Sequence, residues 1–136
     1  MGAVLLDTTV ASFLHPKKRA TRERQQYELH MRGRLLVLSF QSVAELYDCA
    51  EENKWGAAQR SALNQFIARF VVVPYEPNLA RTWARVMTHC RARGRRLEAG
   101  DAWIAATAVH RRLPLLTHDR DLTNLQVPGL RVVSFL

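Results

Sequence analysis

Apolar runs and amphipathic runs alternate along the whole chain. Val4-Leu5-Leu6 is a short apolar run that stops at Asp7. A run this short and this apolar predicts a buried strand over residues 3–6. A helix is predicted from Thr8 or Thr9 to Leu14, ended by Pro16. The charged stretch from Lys17 to Arg34 favours helix, with Gly33 as its stop. Leu35 to Leu38 predicts a second buried strand, followed by a helix from about Ser42 to Glu52. The segment 56–70 predicts another helix, with Ala58, Leu63, Phe66 and Ile67 on its inner face. Residues 70–74 predict a third strand, stopped by Pro74.

Asn78 then reads as the cap of a strongly amphipathic helix. Leu79, Trp83, Val86, Met87 and Cys90 recur at helical spacing, and Gly94 ends it. Residues 101–112 are apolar on nearly every side, which predicts a buried helix. Strands are predicted at 114–117 and 131–136. Strands separated by helices imply βαβ units, so the expected class is α/β with a mostly parallel five-stranded sheet between helices. At 136 residues the chain reads as a single domain, 1–136. No apolar run reaches the roughly 20 residues of a membrane-spanning helix. The N-terminal stretch lacks the basic region of a signal peptide.

Charge changes the picture. The net charge is +8, and the basic residues are clustered. Residues 15–34 carry seven Lys or Arg against two Glu, and residues 81–96 carry six Arg and no acid. The rest of the chain is therefore net acidic and contains Asp7, Glu45, Asp101, Asp119 and Asp121. Such a balance suits a polyanionic partner gripped by basic segments around a site that holds cations. Solvated helix faces in an Arg-rich chain are the plainer alternative. Cys49 and Cys90 form no Cys-x-x-Cys pair, which argues against structural zinc and for buried, reduced thiols in a cytoplasmic protein. The histidines show no ligand spacing, and His118 reads as a surface residue. Trp83 and Trp103 read as packing residues.

Each acid has two readings. Asp7 is either the N-cap of the helix that follows or a ligand at the end of a strand. Ser42-Val43-Ala44-Glu45 fits a capping box, or Glu45 points into a cleft. Asp101 sits on an almost wholly apolar helix, where a carboxylate needs a partner: the helix N-terminus or a cation. Asp119 and Asp121 form an Asp-x-Asp turn or a cation-binding corner. Open parallel sheets bind ligands beyond the carboxyl ends of their strands, so acids distant in sequence are expected at one edge. Converging carboxylates suit a hard cation such as Mg²⁺ or Mn²⁺, and such sites cleave phosphodiesters.

The ordered set "LLDTTV", "SVAEL", "GDAWIAATAV" and "LLTHDRDL" resembles PIN-domain proteins, in particular the small VapC-type toxin ribonucleases. The resemblance runs from Val4 to the last strand. It implies a PIN-like three-layer fold and a Mg²⁺- or Mn²⁺-dependent endoribonuclease. It also implies a cognate antitoxin and commonly a homodimer. Matched by motif, Asp7, Glu45, Asp101 and Asp119 become the catalytic and metal-binding set, with Thr8, Thr117 and Asp121 in support. Thr9 stands where Asn or Ser is more usual. Lys17, Lys18, Arg19, Arg95 and Arg96 are the basic residues expected to meet RNA. Other readings are a housekeeping RNA-processing nuclease and a non-catalytic RNA-binding module. A phosphatase with Asp7 as nucleophile wants a second acid two residues on, where this chain has Thr9.

Overall fold

The computed structural model describes residues 2–136. In chain order the elements are β1 (Ala3–Leu6), α1 (Thr8–Phe13), α2 (Arg22–Leu29), β2 (Leu35–Ser39), α3 (Phe40–Glu52), α4 (Ala57–Ile67), β3 (Val71–Val73), α5 (Pro77–Ala92), α6 (Ala99–Arg111), β4 (Leu115–Leu116) and β5 (Val132–Val133). The five strands form one sheet in the order β3-β2-β1-β4-β5. Every pairing is parallel.

Alternation along the strands sorts side chains to the two faces. Leu5, Val37, Val73 and Leu115 pack with Leu79, Val86 and Cys90 of α5 and with the alanine-rich side of α6. Val4, Leu6, Leu38 and Leu116 face the other way, toward Val10, Tyr27, Ala50, Leu63 and Phe66 of α1 to α4. The result is three layers, with α5 and α6 on one side. From β1 the chain steps outward through β2 to β3, then returns to place β4 on the other flank of β1. The crevice between the ends of β1 and β4 is therefore the topological switch point, where open α/β sheets bind ligands.

Several boundaries differ from expectation, each for a local reason. The charged stretch from Lys17 is helical only over Arg22–Leu29, because Pro16 and three successive cations precede a capping Thr21. The amphipathic helix starts at Pro77, not after Asn78. Glu76 is its N-cap and Pro77 takes the first turn, where a missing N–H costs nothing. Ala58 is exposed, whereas Leu63, Phe66 and Ile67 are buried. Cys90 is buried but Cys49 is exposed, correcting the expectation of two buried thiols. Trp83 and Trp103 stack with centroids 5.4 Å apart, as packing residues. No helix among the described residues is long and apolar enough to cross a membrane.

Candidate functional site

Asp7 follows β1 directly and is almost wholly buried. Its Oδ1 accepts from the Val10 N–H at 2.7 Å, so it caps α1. Its Oδ2 accepts from the Thr117 hydroxyl and from the His118 N–H, the latter at 3.0 Å. Cap and site are thus not alternatives: one oxygen serves the helix and the other ties β1 to the end of β4. Burial pushes the Asp7 carboxyl above the ordinary carboxylate range. The bonds from Thr117, Val10 and His118 pull it back, and nearby Asp119 raises it again. A carboxylate offers about four acceptor directions, and three are occupied here.

Glu45 lies in the second turn of α3. The expected capping box at Ser42 is absent. Ser39 caps the helix by accepting from the Gln41 N–H at 3.1 Å, and Ser42 is already inside it and buried. Glu45 is held from two sides instead: Thr8 Oγ1 donates to Oε1 at 2.6 Å and Gln41 Nε2 to Oε2 at 2.8 Å. Thr8 also lies 3.0 Å from the Ser42 hydroxyl.

Asp101 is in the first turn of α6 but is not its cap, since Glu98 occupies that position. Asp101, Asp119 and Asp121 each present an oxygen within 4.8 Å of the others. The Asp119 N–H donates to Thr117 Oγ1 at 3.1 Å, and the Asp121 N–H to Asp119 Oδ1 at 2.9 Å, so the turn after β4 is tightly built. Asp101 is pushed up to about 7. Burial contributes most, followed by the Asp119 charge, a side-chain hydrogen bond with Asp119, and the charges of Asp121 and Glu45. Negative charge crowded in this way is relieved by a cation. All the donors are oxygen, which suits a hard divalent ion.

Of the expected acids, Asp101 and Asp119 converge with Asp121, a residue expected only in support. Asp7 and Glu45 flank them through charge, and neither joins that tight oxygen cluster. Thr8 and Thr117 lie against Glu45 and Asp7, respectively. Lys17, Lys18 and Arg19 are exposed in the connection after α1, and Arg96 is exposed before α6. Arg95 is half-buried, with Nη1 donating to the Asn124 carbonyl at 2.9 Å in a surface contact. His118 is not a free surface side chain: its Nδ1 lies 2.8 Å from the Tyr27 hydroxyl.

Sequence reasoning missed Gln41, Tyr27 and Gly100. Gly100 has a readable signal, the Gly-Asp pair opening a helix of small residues. A Cβ there would lie 2.9 Å from Gln41 Nε2 and 3.2 Å from Glu45 Oε2. Gly100→Ala is expected to displace the flexible Gln41 amide and free Glu45. Thermal unfolding should move little, whereas any reaction that depends on an oriented Glu45 should slow about three- to tenfold, the worth of one lost positioning hydrogen bond.

The PIN domain family matches residues 4–127 of the chain. Ribonuclease VapC5 of Mycobacterium tuberculosis is 41% identical over 68 residues, a segment that spans half of this chain and half of that protein. Among solved structures, VapBC-5 from Mycobacterium tuberculosis, a member of the VapBC family of toxin–antitoxin systems, superposes with a TM-score of 0.72 at 26% identity. It covers 97% of this chain and 98% of that one. VapBC2 from Rickettsia felis, bound to a promoter DNA fragment, superposes with a TM-score of 0.81 at 18% identity, over 99% of both chains.

Proposed function

The chain belongs to the PIN-domain family, and from that premise we propose that it is a divalent-metal-dependent endoribonuclease, the toxin of a toxin–antitoxin pair. One observation carries the reading: three carboxylates converge at the switch point of a parallel sheet, in a chain whose net charge is +8. The ribonuclease relative and the toxin–antitoxin structures support it.

In this reading Asp101, Asp119 and Asp121 hold the cation, which is Mg²⁺ or Mn²⁺, with Asp7 and Glu45 completing the acidic set. When bound, the cation stabilises the negative charge that builds on the phosphoryl oxygens. Glu45 keeps acceptor capacity beyond its bonds to Thr8 and Gln41. It orients the attacking water and accepts a hydrogen from it. Asp7 braces the β1 and β4 ends so that the acids keep their spacing. Lys17, Lys18, Arg19 and Arg96 bind backbone phosphates, an interaction that weakens with salt. The partner is a cognate antitoxin that occludes the site.

Purified protein is expected to cleave single-stranded RNA in Mg²⁺ or Mn²⁺. It should fall silent in EDTA and recover when the cation is restored. Cleavage that persists in excess EDTA would overturn the metal assignment.

A further inference from the structure

Tyr27 is wholly buried, although most of α2 is polar. Its hydroxyl meets three groups far along the chain: the Thr117 carbonyl at 2.8 Å, the Phe135 N–H at 3.0 Å and His118 Nδ1 at 2.8 Å. A phenol has one hydrogen to give and two lone pairs to receive. The carbonyl only accepts, so the phenolic hydrogen goes to Thr117. The amide only donates, so it takes one lone pair. The remaining lone pair faces Nδ1, and that nitrogen must carry a hydrogen. In a neutral imidazole Nε2 then holds the free lone pair, and no hydrogen bond to Nε2 is found among the described residues. Phe13 and Tyr27 meet the ring in edge-on contacts, with centroids at 5.4 and 5.7 Å. The same residue's N–H holds Asp7 Oδ2, and Asp119 is next in the chain.

We propose that Tyr27 is a positioning residue for the acidic site: it holds His118 as the Nδ1–H tautomer and so offers Nε2 as a hydrogen-bond acceptor to the RNA. The substrate half of this rests on the ribonuclease reading above. A neutral acceptor does not bind a phosphate oxygen. It takes an O–H or N–H, and the ribose 2′-hydroxyl is the O–H that every RNA residue presents. Tyr27 acts through His118 and does not itself touch the substrate.

The test begins with long-range ¹H–¹⁵N spectra of the imidazoles in the full chain at pH 8. The wild type should show His118 protonated at Nδ1, and Tyr27→Phe should lose that preference. An Nε2–H form in the wild type, or an unchanged tautomer in Tyr27→Phe, overturns the proposal. Cleavage kinetics then separate positioning from packing. Tyr27→Phe should lower kcat/KM about three- to tenfold, as for one lost oriented hydrogen bond, but not when His118 is already alanine. An equal fall in both backgrounds would make Tyr27 merely structural. If the wild type cuts no RNA, the ribonuclease reading fails by itself, and the tautomer spectra still decide the role of Tyr27.

Discussion

Asp101→Asn is expected to abolish RNA cleavage while making the cation-free protein more stable. The loss of activity should be on the order of 10³-fold, because in the proposed function Asp101 is one of the anionic ligands that hold the charge-neutralising cation. The gain in stability has an independent cause. Asp101 has an ordinary value of 3.8 and is pushed up to about 7 by burial and by the Asp119 charge. A group whose folded value is raised supports the fold when protonated and loses that support as pH rises toward and through the folded value. Cation-free wild type should therefore weaken from about pH 4 upward and level off above about pH 7. The amide of the Asp101→Asn variant does not titrate. Melting temperatures of the two proteins in EDTA should nearly coincide at low pH and diverge as pH rises toward 8, the variant being higher. Saturating Mn²⁺ should reverse the order, since in the proposed site only the wild type has all three carboxylates. Parallel melting curves at all pH values would show that Asp101 is not raised in the folded protein.

Asp7→Asn should abolish RNA cleavage equally well but shift stability the other way. The two Asp7 oxygens face N–H groups on opposite sides, Val10 on one and His118 on the other. An amide has one oxygen and one NH₂, so in either orientation a donor meets a donor. The Thr117 hydroxyl can rotate to suit, but a buried backbone N–H cannot. Leaving one buried donor unsatisfied costs about 1–3 kcal/mol. That deficit should be clear in denaturant unfolding at mildly acidic pH. It should narrow with rising pH, because only the native carboxyl carries the desolvation penalty that raises its pKa. RNA binding, measured without cleavage, should survive because Lys17, Lys18, Arg19 and Arg96 are exposed and make no bond to Asp7. A variant that still cuts RNA, in protein freed of contaminating nuclease, would falsify the role given to Asp7.

Much of the architecture is legible in the chain. Short apolar runs and the all-round apolar helix mark strands and a buried helix, because burial on both faces of the central strands leaves no room for alternation, although Val71 and Val72 of the edge strand β3 are exposed. All five strands and the α5 and α6 segments follow from that pattern. The misplaced boundaries are those set by competition between neighbouring polar residues. Ser39 takes the cap that Ser42 was expected to provide, and Glu76 with Pro77 replaces Asn78. Local sequence offers both candidates, and only the direction of the chain entering each helix chooses between them. Tyr27 is opaque for a different reason. One apolar ring in a polar, charged segment carries no period, and its partners Thr117 and His118 lie 90 and 91 residues away.

By itself the sequence determined the fold class and the ordered acids at Asp7, Glu45, Asp101 and Asp119, because both are written in local pattern and motif. Only the tertiary structure decided which oxygens meet. Parallel pairing of β1 with β4 sets Asp7 against Thr117 and His118, and the turn after β4 brings Asp121 to Asp101. It also decided that Glu45 answers to Thr8 and Gln41 and that Arg95 is engaged by the Asn124 carbonyl. The physical reason is range. Periodicity and capping act over a few residues, whereas the electrostatics of a site depend on separations of a few ångströms between groups that the chain itself holds far apart.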